Sequence, residues 1–88
     1  MRVHLVVTGR VQGVGFRYHI ATRARTLRLT GTARNLPNGQ VEITAEGDRA
    51  ALETLVGVVR AGPPEAVVRE VRVAWEDAPA REREFVIR

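Results

Sequence analysis

A glycine-rich loop carries the residues with the most evident chemistry in this sequence. Residues 9–17 read GRVQGVGFR and lie between a strand-like run and a helix-like run. The backbone N–H groups of such a loop, together with the positive end of the helix dipole, can converge on one anion. Arg17 adds a planar guanidinium that can hold a phosphoryl group through paired hydrogen bonds. The loop therefore predicts a cradle for a tetrahedral anion, and a tight turn that binds nothing is the alternative interpretation.

The loop differs from two widespread phosphate-binding motifs. A Walker loop requires a lysine after its last glycine, and this sequence contains no lysine. A dinucleotide-binding fingerprint requires a third glycine, whereas Phe16, Arg17 and Tyr18 follow Gly15 here. Neither motif therefore describes this loop.

The residue types that are missing narrow the possible chemistry. The 88-residue chain has no Cys, Ser or Lys, which excludes disulfides, thiolate metal sites and nucleophiles of those three types. The two histidines, His4 and His19, fall in different predicted elements and make a poor metal site. We therefore expect no metal and no cofactor, and direct attack by water is simpler than a covalent route.

Positive charge is concentrated in the half of the chain that contains the loop. Residues 1–41 hold seven Arg and no acidic residue, whereas residues 42–88 hold seven Arg and ten acidic residues, for a net charge of +4. A general preference for Arg over Lys would explain why the chain has no lysine, but it would not explain why residues 1–41 contain no Asp or Glu. The charge pattern therefore favours an anionic ligand, either small or polymeric.

Hydrophobic periodicity predicts the elements that must position the loop. Two helices are predicted, over residues 16–27 and from the N-cap Asp48 to a stop at Gly62. Asn38-Gly39 predicts a hairpin turn between the second and third strands. Residues 81–84 are predicted to be an exposed, charged link. The five predicted strands are residues 2–9, 29–36, 40–46, 67–76 and 85–88.

This order of elements, β-α-β-β-α-β with a short fifth strand, is that of an α+β ferredoxin-like fold. Right-handed crossovers place the third strand between the first and the second. Both helices then cover one face of an antiparallel sheet, and the fifth strand lies at an edge. We predict a single domain over residues 1–88.

Strand topology brings a second polar side chain towards the loop. The first and second strands are parallel, so their C-terminal ends share one edge of the sheet. They are about 10 Å apart, which is two strand spacings, and the loop can curl across that gap. Asn35, near the end of the second strand, could then hold a water opposite a leaving group, because an amide both donates and accepts. The alternative is a structural role, in which the Asn35 side chain only forms hydrogen bonds with backbone groups near the turn.

Two motifs resemble the acylphosphatase family. Residues 11–17 (VQGVGFR) are similar to its hallmark loop, and residues 31–42 (GTARNLPNGQVE) are similar to its second motif. Residues 62–63 and 85–88 also resemble the family, so the likeness covers nearly the whole chain. The departure is Thr32-Ala33, where many relatives carry a Trp or another bulky pair, and this is expected to alter packing on the strand.

The resemblance implies a small, metal-free hydrolase that cleaves a small acyl phosphate to a carboxylate and inorganic phosphate, and we expect the protein to be a monomer. By that likeness Arg17 binds the phosphoryl group and Asn35 orients the attacking water. His19, about 200° round the helix from Arg17, is expected to point away from the cradle. The phosphate-binding positions that the resemblance implies are Gln12, Gly13, Val14, Gly15, Phe16 and Arg17.

Two other functions fit parts of the sequence. A non-hydrolytic domain that binds phosphate or carbamoyl phosphate would keep the fold and loop, as in some hydrogenase-maturation carbamoyltransferases. An RNA-binding module would suit the fold and charge, but its stacking aromatics belong on the third strand, which has none. No signal peptide or membrane span is predicted. A start at Met1 and an end at a strand favour a stand-alone enzyme. A cytoplasmic location is the default expectation, and no nucleic-acid partner is expected.

Overall fold

The computed structural model describes residues 1–88 and contains five strands and two helices in the predicted order. Predicted and observed bounds differ by no more than a few residues. Neither helix combines the length and the hydrophobicity that a membrane-spanning helix requires. The elements are β1 (Arg2–Arg10), α1 (Phe16–Thr26), β2 (Thr30–Asn35), β3 (Val41–Glu46), α2 (Arg49–Ala61), β4 (Val67–Glu76) and β5 (Phe85–Ile87).

All five strands form one sheet, in the order β4-β1-β3-β2-β5. β3 lies between β1 and β2 and is antiparallel to both, as predicted. β5 occupies the predicted edge position but runs parallel to β2, so the sheet is mixed rather than wholly antiparallel. β4 ends beside Arg2, and the chain must therefore return past the ends of the other strands before β5 begins.

One hydrophobic core lies between the sheet and the two helices. Alternate residues of β1 and β3 face it, because successive side chains of a strand point to opposite faces. Phe16, the first residue of α1, is itself a core residue at 1% exposure, which fixes the start of this helix against the sheet. The fully buried residues of the strands and helices include Val3, Leu5, Val7, Ile20, Ala24, Ala33, Val41, Ile43, Ala45, Leu52, Leu55 and Val59.

The helices begin and end close to the predicted residues, but the predicted capping hydrogen bond is not formed. Asp48 takes the N-cap position of α2, but its side chain makes no capping hydrogen bond. α1 ends at Thr26, with Leu27 as its C-cap. Arg28 then adopts a left-handed φ of 59°, which turns the chain away from the helix axis before β2.

The sheet face away from the helices holds an ion pair that strand alternation did not predict. Glu46 lies on the expected outer side of β3 but is only 2% exposed. Its Oε2 lies 2.8 Å from Nη2 of Arg2. Its carboxylate also accepts hydrogen bonds from the backbone N–H groups of Arg81 and Glu82. The link expected to be merely exposed is therefore fastened to the sheet by its own backbone.

Opposing effects act on the pKa of Glu46. Burial raises this pKa, but the N–H donors of Glu82 and Arg81 and the guanidinium of Arg2 together outweigh burial and hold it below the usual value of a glutamate. A carboxyl group whose pKa is lowered by folding stabilises the folded state above its unfolded pKa. That stabilisation is lost as the pH falls through the folded-state pKa.

Glu46→Gln is expected to destabilise the fold by about 2 kcal/mol near neutral pH. The loss is smaller than for a fully isolated buried charge because Glu76 still contacts Arg2. At acid pH the difference from wild type should shrink as the pH falls through the lowered folded-state pKa of Glu46, because wild-type Glu46 then becomes protonated as well. Urea unfolding at neutral and acid pH measures both effects.

Glu53→Gln is the matched control for this substitution. Glu53 is exposed and lies 3.9 Å from Arg49 on the same helix. An ion pair of that kind contributes little, so we expect a change of less than about 0.5 kcal/mol. Equal losses in the two variants, or a loss in Glu46→Gln that does not depend on pH, would contradict the assignment.

Candidate active site

A cavity of about 210 Å³ opens where the glycine-rich loop faces the end of β2. It joins the loop and the start of α1 to single residues of β2 and β5. It is smaller than the pockets of about 300–1,000 Å³ that hold drug-sized ligands, which suits a small molecule. The lining residues are Val11, Gly13, Gly15, Phe16, Arg17, Tyr18, Asn35 and Ile87.

The backbone N–H groups of the loop have no acceptor within the protein over residues 12–18. Gly13 and Gly15 both adopt a left-handed φ of 75°, a conformation that costs glycine little and lets the loop fold tightly before the helix. Gly15 is the N-cap of α1, so no side chain caps this end, and the first turn contains no acidic residue. Unsatisfied donors and the positive helix end both favour an anion here.

Arg17 is the only charged residue that lines the cavity. Its Nη1 donates a 2.8 Å hydrogen bond to the main-chain oxygen of Arg88. Arg88 in turn donates its backbone N–H to the oxygen of Ala33 at 2.9 Å, which continues the pairing of β5 with β2. The guanidinium is thus braced against the edge of the sheet, and no acidic side chain lines the cavity.

Asn35 is the last residue of β2 and lies opposite Val41 of β3. Side chains alternate along a strand, so Asn35 shares the helix side of the sheet with Ala33. Its side-chain amide makes no hydrogen bond within the protein, and it lines the cavity that also contains Arg17. The structure therefore places these two residues around one cavity, as the strand topology predicts.

The remaining loop residues divide into two groups. Gly13, Gly15 and Phe16 line the cavity with Arg17, whereas Gln12 and Val14 do not. Val14 packs against the core. The side chain of Gln12 turns instead to the β2–β3 hairpin. Both residues still contribute unbonded backbone N–H groups to the same loop.

Sequence reasoning missed several residues at this site. Tyr18 directly follows Arg17 and is 69% exposed, so its position beside the predicted cradle is a signal that could have identified it. Ile87 lines the cavity and Arg88 contacts Arg17 only because β5 pairs in parallel with β2. Nothing in the periodicity of β5 specifies that pairing.

Neither histidine lines the cavity. His19 is on α1 with the offset from Arg17 that the sequence predicts. His4 lies on the outer face of the sheet, where its Nε2 is 2.8 Å from Oε2 of Glu42. The hydrogen bond from His4 has the largest effect on the pKa of Glu42 and lowers it. Burial raises this pKa, and Arg34 lowers it further, so that the net shift is downward. No imidazole is therefore placed to move a proton in the cavity.

A larger cavity of about 460 Å³ lies on the outer face of the sheet. Three glutamates line it, and its Arg2 is already paired with two of them, Glu46 and Glu76. No group of three or more His, Asp or Glu side chains is arranged to hold a metal ion. Because carboxylates disfavour an anion, the smaller cavity is the better candidate for the predicted anion site.

Comparison with known proteins gives one consistent family. The acylphosphatase family model matches residues 3–87. The acylphosphatase of Trichormus variabilis is 54% identical over 88% of this chain and 76% of its own length. That of Anaeromyxobacter dehalogenans is 48% identical over 100% of this chain and 95% of its own length. The crystal structure of Bacillus subtilis acylphosphatase matches with a TM-score of 0.94 and 37% identity, covering 98% of this chain and 96% of that one.

The same fold also occurs within a longer protein. Full-length HypF, in its phosphate- and nucleotide-bound form, matches with a TM-score of 0.81 and 26% identity. The match covers 98% of this chain but 11% of HypF. Both measures are lower than those for the Bacillus subtilis enzyme. With the family model and the curated relatives in agreement over nearly its whole length, the chain belongs to the acylphosphatase family.

Proposed function

We propose that this chain hydrolyses the carboxyl–phosphate bond of a small acyl phosphate and releases a carboxylate and inorganic phosphate. In this proposal Arg17 and the backbone N–H groups of residues 12–17 bind the phosphoryl group, and Asn35 orients the attacking water. Family membership supports the reaction. The observation that carries the residue roles is the single cavity lined by both Arg17 and Asn35, with no acidic side chain in its lining.

Binding of the phosphoryl group rests on charge and geometry. Phosphoryl transfer develops charge on three equatorial oxygens, and fixed donors that face them stabilise it more than mobile water does. Arg17 can present its fork without first losing much freedom, because its contact with Arg88 already orients it. The unbonded N–H groups of the loop supply the remaining donors. Arg17 and the loop N–H groups stabilise the phosphoryl charge, which a metal ion does in other phosphotransfer enzymes. The proposed reaction therefore uses neither metal nor cofactor.

The attacking water is assigned to Asn35. A carboxamide can accept a hydrogen bond from water through its oxygen and donate one to a phosphoryl oxygen through its nitrogen, and this amide has no partner within the protein that would compete. No acidic or histidine side chain lines the cavity, so we infer that a phosphoryl oxygen of the substrate accepts the proton of the water. The departing carboxylate is a stable anion and needs no general acid. A covalent intermediate is not required.

The remaining parts of the proposal concern the state of the protein. We propose that residues 1–88 act as one monomeric domain in the cytoplasm, without a nucleic-acid partner. The single hydrophobic core supports one domain. The arrangement of aromatic rings argues against RNA stacking on the sheet: Phe16 and Phe85 are buried, and Trp75 packs under Arg49 of α2, 4.0 Å from the ring centroid.

Phosphate release from benzoyl phosphate and acetyl phosphate, measured with a chelator present, tests the proposed function. We expect release at least about 10⁶-fold above the spontaneous rate, unchanged by the chelator. Loss of activity with the chelator would contradict metal-free hydrolysis. Binding of phosphate without turnover would favour a non-hydrolytic binding domain. Retention of single-stranded RNA in a filter assay at moderate salt, which we do not expect, would favour the RNA-binding alternative.

A further inference from the structure

The side chain of Gln12 joins the two halves of the site. Its Nε2 donates two hydrogen bonds of 2.8 Å each, one to the main-chain oxygen of Leu36 and one to that of Gln40. A carbonyl oxygen can only accept, so the nitrogen of the amide must face this pair. Both amide hydrogens of Gln12 are therefore committed to a contact between the loop and the β2–β3 hairpin.

The two acceptors lie at the base of that hairpin. Leu36 directly follows Asn35, and its own N–H donates to the same Gln40 oxygen at 2.8 Å. No other group of residues 11–15 forms a hydrogen bond with residues 35–40. Gln12 is thus the only hydrogen-bonded tie between the loop that carries the N–H cradle and the hairpin that carries Asn35.

We propose that the Gln12 side chain is a positioning residue that sets the distance between the phosphoryl cradle and the water held by Asn35. This inference rests on the proposed function. A misplacement of about 1 Å between reacting groups can cost up to a hundredfold in rate. Arg17 is braced separately, through Arg88, so the grip on phosphate does not depend on the hairpin. Turnover should therefore depend on the Gln12 amide, and the affinity for phosphate should not.

Gln12→Met tests this separation. Methionine has a similar length and no charge, and it keeps the backbone N–H, but it cannot donate to the two carbonyls. We expect kcat to fall about tenfold, while the inhibition constant of inorganic phosphate changes less than about threefold. Gln40→Met is the matched control. It removes the side-chain hydrogen bonds of Gln40 with Thr8 and Asn38 but keeps the main-chain carbonyl that accepts from Gln12, so kcat should stay within about twofold of wild type.

A double-mutant cycle with Asn35→Ala separates positioning from a general loss of structure. Where Asn35 holds no water, its distance from the cradle no longer matters. Gln12→Met should then lower kcat less than about twofold in the Asn35→Ala background. Urea unfolding of every variant checks the fold, and Gln12→Ala repeats the cycle with the whole side chain removed.

The outcomes distinguish this inference from the proposed function. An equal, tenfold effect of Gln12→Met in both backgrounds would overturn it, as would unchanged kcat or a loss of phosphate affinity as large as the loss of kcat. If the wild type turns over but Gln12→Met lowers kcat equally in both backgrounds, only the role of Gln12 is overturned. Absence of wild-type turnover overturns the proposed function and this role together.

Discussion

Replacement of Arg17 by alanine is expected to abolish turnover, with kcat/KM reduced about a thousandfold or more. Arg17 is the only charged side chain in the cavity, so its loss leaves the phosphoryl charge to uncharged N–H donors alone. The affinity for inorganic phosphate should fall as well, by about tenfold or more, because a charge-assisted, forked contact is removed. Steady-state kinetics with benzoyl phosphate and inhibition by inorganic phosphate measure the two effects.

Two further variants show whether the effect is specific to Arg17 and to its planar guanidinium group. Arg23→Ala removes an exposed arginine from the last turn of the same helix, outside the cavity, and should leave kcat/KM within about threefold of wild type. Arg17→Lys keeps the charge but loses the planar fork, so part of the phosphate affinity should remain while turnover stays low. Near-normal kinetics and phosphate affinity in Arg17→Ala would refute the cradle.

Replacement of Asn35 by alanine is expected to lower kcat by more than about a hundredfold, while inorganic phosphate still binds within about threefold of wild type. The side-chain amide of Asn35 has no partner within the protein, so its removal should cost little stability. The assigned role is to aim the water, which matters only when bonds change. A split between kcat and phosphate affinity is therefore the signature of this role.

Asn38→Ala is the matched control for Asn35→Ala. Asn38 lies three residues further along the same hairpin, is exposed, and uses its side chain to bond Gln40 within the turn. It does not line the cavity, so kcat should change little. If phosphate affinity in Asn35→Ala fell as much as kcat/KM and kcat held, Asn35 would be a phosphate-binding group rather than a holder of water.

The proposed catalytic pair illustrates how far topology can be predicted from a sequence. Arg17 and Asn35 belong to different elements, yet a split β-α-β order with right-handed crossovers leaves few ways to arrange the strands. The ends of β1 and β2 must then share one edge, and the loop must leave from there. The observed strand order and the shared cavity agree with that reasoning. The topology could be predicted because it depends on the order of the elements and on the periodicity of hydrophobic residues, and not on atomic detail.

Glu46 illustrates the opposite case. Alternation along β3 correctly assigned it to the outer face, and an outer glutamate is normally exposed. The path of residues 77–84 decided otherwise, because this segment returns across the sheet and covers the carboxylate with its own N–H groups. The periodicity of one strand contains no information about a loop that crosses it.

The sequence by itself determined the order of the elements, their buried faces, the glycine-rich loop and the placing of Arg17 and Asn35 at one edge of the sheet. These features follow from patterns repeated within short stretches and from the few topologies that such patterns allow. Only the tertiary structure decided the parallel pairing of β5, the brace from Arg88 to Arg17, the burial of Glu46 and the tie from Gln12 to the hairpin. Each of these joins residues far apart in the chain through the exact path of a loop, and many loop paths are compatible with the same hydrophobic pattern.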